Sequence, residues 1–81
     1  MTDPLAYWSC GGEVIGRGGV ALSLEDGWAL LDLHRDEAWA AGAAADGRGQ
    51  ACASRLARQL VDAIEAAGRW RKAARPLTHL R

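Results

Sequence analysis

The sequence predicts an α+β fold in which an antiparallel β-meander of three to four strands packs against one long C-terminal helix, with a short helix between them. Three observations lead to this prediction. Glycine pairs recur through the first half, alanine-rich helix formers follow Asp36, and apolar residues recur at three- and four-residue spacing over Gln50–Ala67. At 81 residues, the chain is expected to form a single domain over residues 1–81, with 76–81 as a flexible tail.

The first strands are predicted from their turns. Gly11-Gly12 and Gly18-Gly19 are candidates for two-residue turns, because turn types I′ and II′ need a positive φ that glycine adopts without steric cost. Strands are therefore expected near Leu5–Cys10 and Glu13–Arg17.

The pair Asp26-Gly27 gives the strongest turn signal and predicts a hairpin between residues 20–25 and 28–33. Alternation along these two strands would place six apolar residues on one face of the sheet. They are Val20, Leu22, Leu24, Ala29, Leu31 and Leu33.

The helices are predicted from the second half of the chain. Acids at Asp36-Glu37 favour a short helix over Ala38–Ala45, and a glycine-rich breaker follows it. A long helix is expected over Gln50–Ala67. Gly68 is either its C-terminal cap or an interruption after which the helix resumes to Ala74. The apolar stripe of this helix, expected to cover the sheet, consists of Cys52, Leu56, Leu60, Ile64 and their alanine neighbours.

The zero net charge of the chain conceals a charge split. Up to Asp46, eight carboxylates stand against two arginines, a net charge of −6; beyond it, eight basic residues stand against two carboxylates, a net charge of +6. Such a chain can pair its own halves or offer one face to a partner of opposite charge. The composition therefore favours binding over chemistry.

No catalytic, cofactor-binding or metal-binding motif accompanies this charge split. Cys10, Cys52, His34 and His79 lack the short spacing of a zinc site. The glycines over 11–19 lack the lysine of a phosphate-binding loop. The chain is therefore predicted to be a non-enzyme without cofactors.

The N-terminal residues have no basic region followed by an apolar run, and no stretch is long and apolar enough for a membrane helix. An intracellular location is therefore expected. The alanine-, glycine- and arginine-rich composition fits a GC-rich bacterial or phage genome, so the expected compartment is the cytoplasm of a bacterial host cell. In that compartment both cysteines are expected to be reduced thiols.

Two sets of exposed residues are candidates for partner contacts. A small core can cover only two or three of the four tryptophans, and an exposed tryptophan beside charge is typical of an interface. A homodimer is one possible use of Trp28. The first set, for a basic groove on a partner, is Glu13, Glu25, Asp26, Trp28, Asp32, Asp36 and Glu37. The second set, for nucleic acid or an acidic partner, is Arg55, Arg58, Arg69, Trp70, Arg71 and Lys72.

In size and layout, with three turn pairs at Gly11-Gly12, Gly18-Gly19 and Asp26-Gly27 followed by the helix over Gln50–Ala67, the chain resembles the small phage-encoded anti-CRISPR inhibitors. The resemblance is closest to those directed at type I effector complexes. It implies a non-enzymatic inhibitor that occludes a surface of a host nucleoprotein complex and blocks its DNA binding. Many such inhibitors are acidic throughout, whereas the second half of this chain is basic. The alternative function is a small DNA- or RNA-binding regulator that uses the basic C-terminal helix.

Overall fold

The computed structural model describes residues 5–74 as three short strands followed by two long helices. The elements are β1 (Trp8–Cys10), β2 (Glu13–Ile15), β3 (Ala21–Leu22), α1 (Leu24–Ala43) and α2 (Gly47–Ala74), with a 3-10 turn over Arg17–Gly19. The predicted α+β fold, with an antiparallel meander and a long C-terminal helix, is confirmed. The predicted tail over 76–81 lies outside the described residues.

The sheet has the strand order β1-β2-β3, and both strand pairs are antiparallel. Cys10 pairs with Glu13, so Gly11 and Gly12 form the predicted two-residue turn, and Gly11 has a φ of 60°. Val14 pairs with Leu22 across the second strand pair and is buried. The meander is thus three-stranded and ends at Leu22.

The predicted hairpin at Asp26-Gly27 is wrong, because both residues lie in the first turns of helix α1. The Ser23 side chain caps this helix: its Oγ accepts a hydrogen bond from the Asp26 N–H at 3.0 Å. Acids in the first turn then favour the helix further. Gly27, Leu31 and His34, the buried residues of α1, follow the helical period. Val20, Leu24 and Leu33, assigned to the core face of the hairpin, are more than half exposed.

The short helix predicted over Ala38–Ala45 is the last part of α1, which is 20 residues long and ends at Ala43. Ala45 adopts a left-handed conformation with a φ of 58°. Asp46 then caps the N-terminus of α2: its Oδ1 accepts a hydrogen bond from the Gly49 N–H at 2.9 Å. The helix continues through Gly68 to Ala74, so Gly68 lies within the helix and is not its C-terminal cap.

The core lies where the two helices meet the sheet. Leu31 of α1 and Leu60 of α2 are the largest fully buried side chains, and Val14, Ile64 and Ala67 pack around them. Cys52 was expected in this core and is exposed instead. Because the core is small, much of the surface of both helices stays open to solvent.

The sheet is anchored to both helices through the segment that precedes β1. The Ala6 N–H donates a hydrogen bond of 2.8 Å to Oε1 of Gln59 on α2, and the Tyr7 hydroxyl forms a hydrogen bond with His34 on α1.

No helix within residues 5–74 has the length and apolar character needed to cross a membrane.

Candidate interaction surface on helix α1

The charge split of the sequence appears in the structure as two helices of opposite charge. Helix α1 carries five carboxylates and one arginine, a net charge of −4, and α2 carries six basic residues and two carboxylates, a net charge of +4. Arg55 set aside, no arginine or lysine of α2 lies within 4 Å of a carboxylate of α1. The two charges are therefore presented to solvent on separate helices.

Helix α1 brings together six of the seven residues predicted for a basic partner. All six are exposed, whereas the seventh, Glu13, is exposed on β2. The six are Glu25, Asp26, Trp28, Asp32, Asp36 and Glu37. Successive residues of a helix are about 100° apart, so Glu25, Asp32 and Asp36 share one side of α1, and Asp26 and Glu37 share another. Six residues of the predicted set therefore lie on one helix, spread over more than one of its sides.

An exposed stripe runs along α1 beside these acids. At about 100° per residue, Trp28, Asp32, Arg35 and Trp39 fall within an arc of about 60°. We call these four residues the α1 stripe. Half of Trp28 is exposed and 81% of Trp39, the most exposed large apolar side chain in the described chain. Apolar surface of this kind, bordered by charge, is typical of an interaction site.

The α1 stripe borders a shallow groove between the two helices. Arg35 and Trp39 line it from α1, and Ser54 and Ala57 line it from α2. Gln50 also lines it from α2. The two large side chains of α1 are therefore exposed where the two helices meet.

The basic candidates on α2 are exposed but form a less continuous surface. Arg58 and Arg69 share the outer side of the helix with Asp62, which interrupts the positive charge. Trp70 and Arg71 lie against the turn between β1 and β2: the Trp70 ring and the Arg71 side chain would contact a Cβ added at Gly12. The remaining members, Arg55 and Lys72, are exposed on α2.

A chain of hydrogen bonds, buried at Tyr7 and His34 and exposed at Glu37, joins the segment before β1 to α1. The distances are 2.7 Å from the Tyr7 hydroxyl to Nε2 of His34 and 2.9 Å from Nδ1 of His34 to Oε1 of Glu37. With Nδ1 protonated, His34 donates to the carboxylate and accepts from the hydroxyl, so every group is satisfied. Burial is the main cause that raises the pKa of Tyr7; Arg17 lowers it and Glu37 raises it.

Sequence reasoning missed this hydrogen-bonded chain, because a hairpin was predicted over residues 20–33 and no helix was expected at His34. The spacing of His34 and Glu37, three residues apart, brings the two side chains together only on a helix. Both nitrogens of His34 are engaged by Tyr7 and Glu37, and the raised pKa of Tyr7 favours its neutral form. These hydrogen bonds therefore hold the segment before β1 against α1 and have a structural role.

The candidate metal ligands and nucleophiles are not drawn together. Cys10 and Cys52 are free thiols and both are exposed. Between residues 5 and 74 no group of three or more histidine, cysteine or acidic side chains could hold a metal ion. His79 lies beyond the described range.

Comparison with known proteins returned no matching family model, no similar curated protein and no similar solved structure.

Proposed function

We propose that this protein is a non-enzymatic binding protein that docks α1 on a basic surface of a larger partner and blocks that surface. The observation that carries the proposal is the joint exposure of carboxylates and tryptophans on α1; Arg55 set aside, none of these carboxylates is paired with a basic side chain of α2 in the described chain. Tryptophan supplies apolar contact area, and carboxylates supply orientation and a fast encounter with a basic partner.

A groove that binds nucleic acid is the basic surface that α1 fits best by chemistry. Such grooves are lined by lysine and arginine because they neutralise phosphates. At about 1.5 Å per residue, the carboxylates of α1 extend over about 18 Å, from Glu25 to Glu37, and so span about five phosphate positions of one DNA strand. An acidic helix in the groove would exclude the nucleic acid.

The specific target that we propose is a host nucleoprotein complex, a type I CRISPR effector, whose DNA binding the protein would inhibit. The size and layout of the chain suggest this target class, and the acidic α1 supplies a means of inhibition. Because Asp26-Gly27 lies in α1 and not in a turn, the layout supports this target less than the acidic surface of α1 does.

A gel-shift experiment tests this proposal. Target DNA is incubated with the effector complex alone, with the protein alone, and with both, across a salt series. We expect the effector shift to disappear when the protein is added and no shift by the protein alone. An effector shift that persists at a large excess of the protein would contradict the proposal for this target.

Matched charge reversals identify the contacting helix. Glu25→Lys with Asp36→Lys alters one side of α1, and Arg58→Glu with Arg69→Glu alters the outer side of α2. We expect the first pair to reduce inhibition at least tenfold and the second pair to leave it unchanged. The helix content of each variant is checked by circular dichroism.

The second candidate function is direct binding of DNA or RNA by α2. The exposure of Arg58, Arg69 and Lys72 favours it. It predicts a shift by the protein alone that weakens steeply with salt. In that case the reversal on α2, and not the one on α1, would abolish the shift.

A further inference from the structure

We propose that the α1 stripe binds a second copy of this chain, with the two α1 helices packed antiparallel around a two-fold axis between Leu33 and His34. This inference does not depend on the proposed function. It follows from the order of the four side chains along the helix.

The α1 stripe is complementary to a copy of itself that runs in the opposite direction. Trp28 and Trp39 lie at equal distances from the midpoint between residues 33 and 34, and so do Asp32 and Arg35. At 1.5 Å per residue the tryptophans are about 8 Å from that midpoint and the charged pair about 2 Å from it. The order is tryptophan, aspartate, arginine, tryptophan, with opposite charges at the two inner positions.

A two-fold interface requires this kind of self-complementary order. In such an interface the same patch is used on both copies, so residue i contacts j and j contacts i. With α1 antiparallel to its copy, Trp28 lies opposite the partner's Trp39, and Asp32 lies opposite the partner's Arg35. Each contact occurs twice, which gives two aromatic pairs flanking two ion pairs.

The side chains of the α1 stripe are free to make these contacts. Neither the Asp32 side chain nor the Arg35 side chain makes a hydrogen bond or an ion pair with another residue of the described chain. The two tryptophans are the exposed aromatic residues of α1. Glu25 and Asp36 lie beside the stripe, outside the line of contact.

The exposed area indicates the strength of the dimer. Taking about 200 Å² for a whole tryptophan side chain, the exposed parts of Trp28 and Trp39 amount to about 500 Å² over two copies. A standard stable interface buries about 1,600 Å². Even with Leu24 and the stem of Arg35 added, the surface is smaller than a standard interface, so we expect a weak dimer that forms reversibly.

Sedimentation equilibrium tests the proposal over about 1–200 μM, with a reductant present to keep Cys10 and Cys52 from linking copies. We expect a reversible monomer–dimer equilibrium for the wild type and a monomer throughout for Trp28→Ala with Trp39→Ala. The matched control is Leu33→Ala, an exposed apolar residue of α1 outside the stripe, which should dimerise like the wild type. Circular dichroism checks that each variant is folded.

A charge swap tests the antiparallel register. Asp32→Arg alone and Arg35→Asp alone each place like charges opposite one another, and we expect each to weaken the dimer at least tenfold. The double variant carries both changes and restores opposite charges at both contacts, so it should recover most of the affinity. A wild type that stays monomeric at 200 μM, a dimer that survives loss of both tryptophans, or a double variant no tighter than the singles would each overturn the proposal.

Discussion

At the scale of single residues, Tyr7, His34 and Glu37 show how a small core can be tied together by polar groups. The Tyr7 hydroxyl reaches His34 from the segment before β1, and His34 in turn reaches Glu37 one helical turn further along α1. Among the described residues, no buried side-chain polar atom is left without a partner. The cost of burying these groups is therefore offset by their mutual hydrogen bonds.

Tyr7→Phe should destabilise the protein at neutral pH by about 1–2 kcal/mol, because His34 loses its buried donor. The difference should also depend on pH. The folded-state pKa of Tyr7 is raised above 10.0, so its contribution is complete below pH 10 and is lost as pH rises through the raised pKa. Urea unfolding of both proteins at neutral and strongly alkaline pH checks this. A gap in unfolding free energy that stays constant into the alkaline range would contradict it.

Gly27→Ala should stabilise the protein by about 0.5–1 kcal/mol, because alanine is the better helix former. The added Cβ would lie 3.6 Å from Cδ1 of Ile64, an ordinary van der Waals contact. The same substitution in a two-residue turn with positive φ would be destabilising. Denaturant unfolding of the variant therefore tests which element Gly27 occupies. A higher unfolding free energy than that of the wild type supports the helix, and a lower one supports the hairpin predicted from the sequence.

At the scale of elements, the sequence correctly predicted the segments whose residue pattern fits only one type of secondary structure. It failed where the pattern fits both a strand and a helix. The turn at Gly11-Gly12 and helix α2 were predictable, since the first needs positive φ and the second has a long apolar period. Residues 20–33 have leucines that fit alternation as well as helical spacing, and Asp26-Gly27 decided in favour of the turn. The overlooked signal was Ser23 three residues before Asp26, the spacing of a helix N-cap followed by an acid.

The candidate site was only partly predicted, again because residues 28–33 were assigned to a strand. The acids and Trp28 were identified from charge and composition, which do not depend on the element that carries them. Arg35 and Trp39 were not included in the set predicted for a basic partner. With residues 28–33 predicted as a strand, nothing placed these two residues beside Trp28. Only a continuous helix over Leu24–Ala43 aligns the four residues.

Ser23→Ala should cost about 1 kcal/mol of unfolding free energy, because the Asp26 N–H loses its cap. Ser23→Asp is the matched variant, since aspartate caps helices as well as serine and adds favourable charge at the helix N-terminus. Thermal unfolding followed by circular dichroism compares them. Equal losses in the two variants would show that the cap does not hold this end of α1.

At the scale of the whole molecule, the thin core explains why surface is available for binding. The molecule measures 57 × 27 × 16 Å, and the smallest dimension leaves room for little more than a sheet packed on helices. All four tryptophans consequently retain exposed surface, from 36% at Trp8 to 81% at Trp39. Charge and aromatic surface that the fold does not use internally remain for contacts between molecules.

The central claim is that α1 is the contact surface, and hydroxyl-radical footprinting of the four tryptophans tests it most directly. Oxidation is measured by mass spectrometry for the dilute protein, for the concentrated protein and for the protein with excess effector complex. We predict that Trp28 and Trp39 lose reactivity together on binding, whereas Trp8 and Trp70 keep theirs. Protection of Trp70 with Trp28 and Trp39 unchanged would contradict the claim and place the contact on α2.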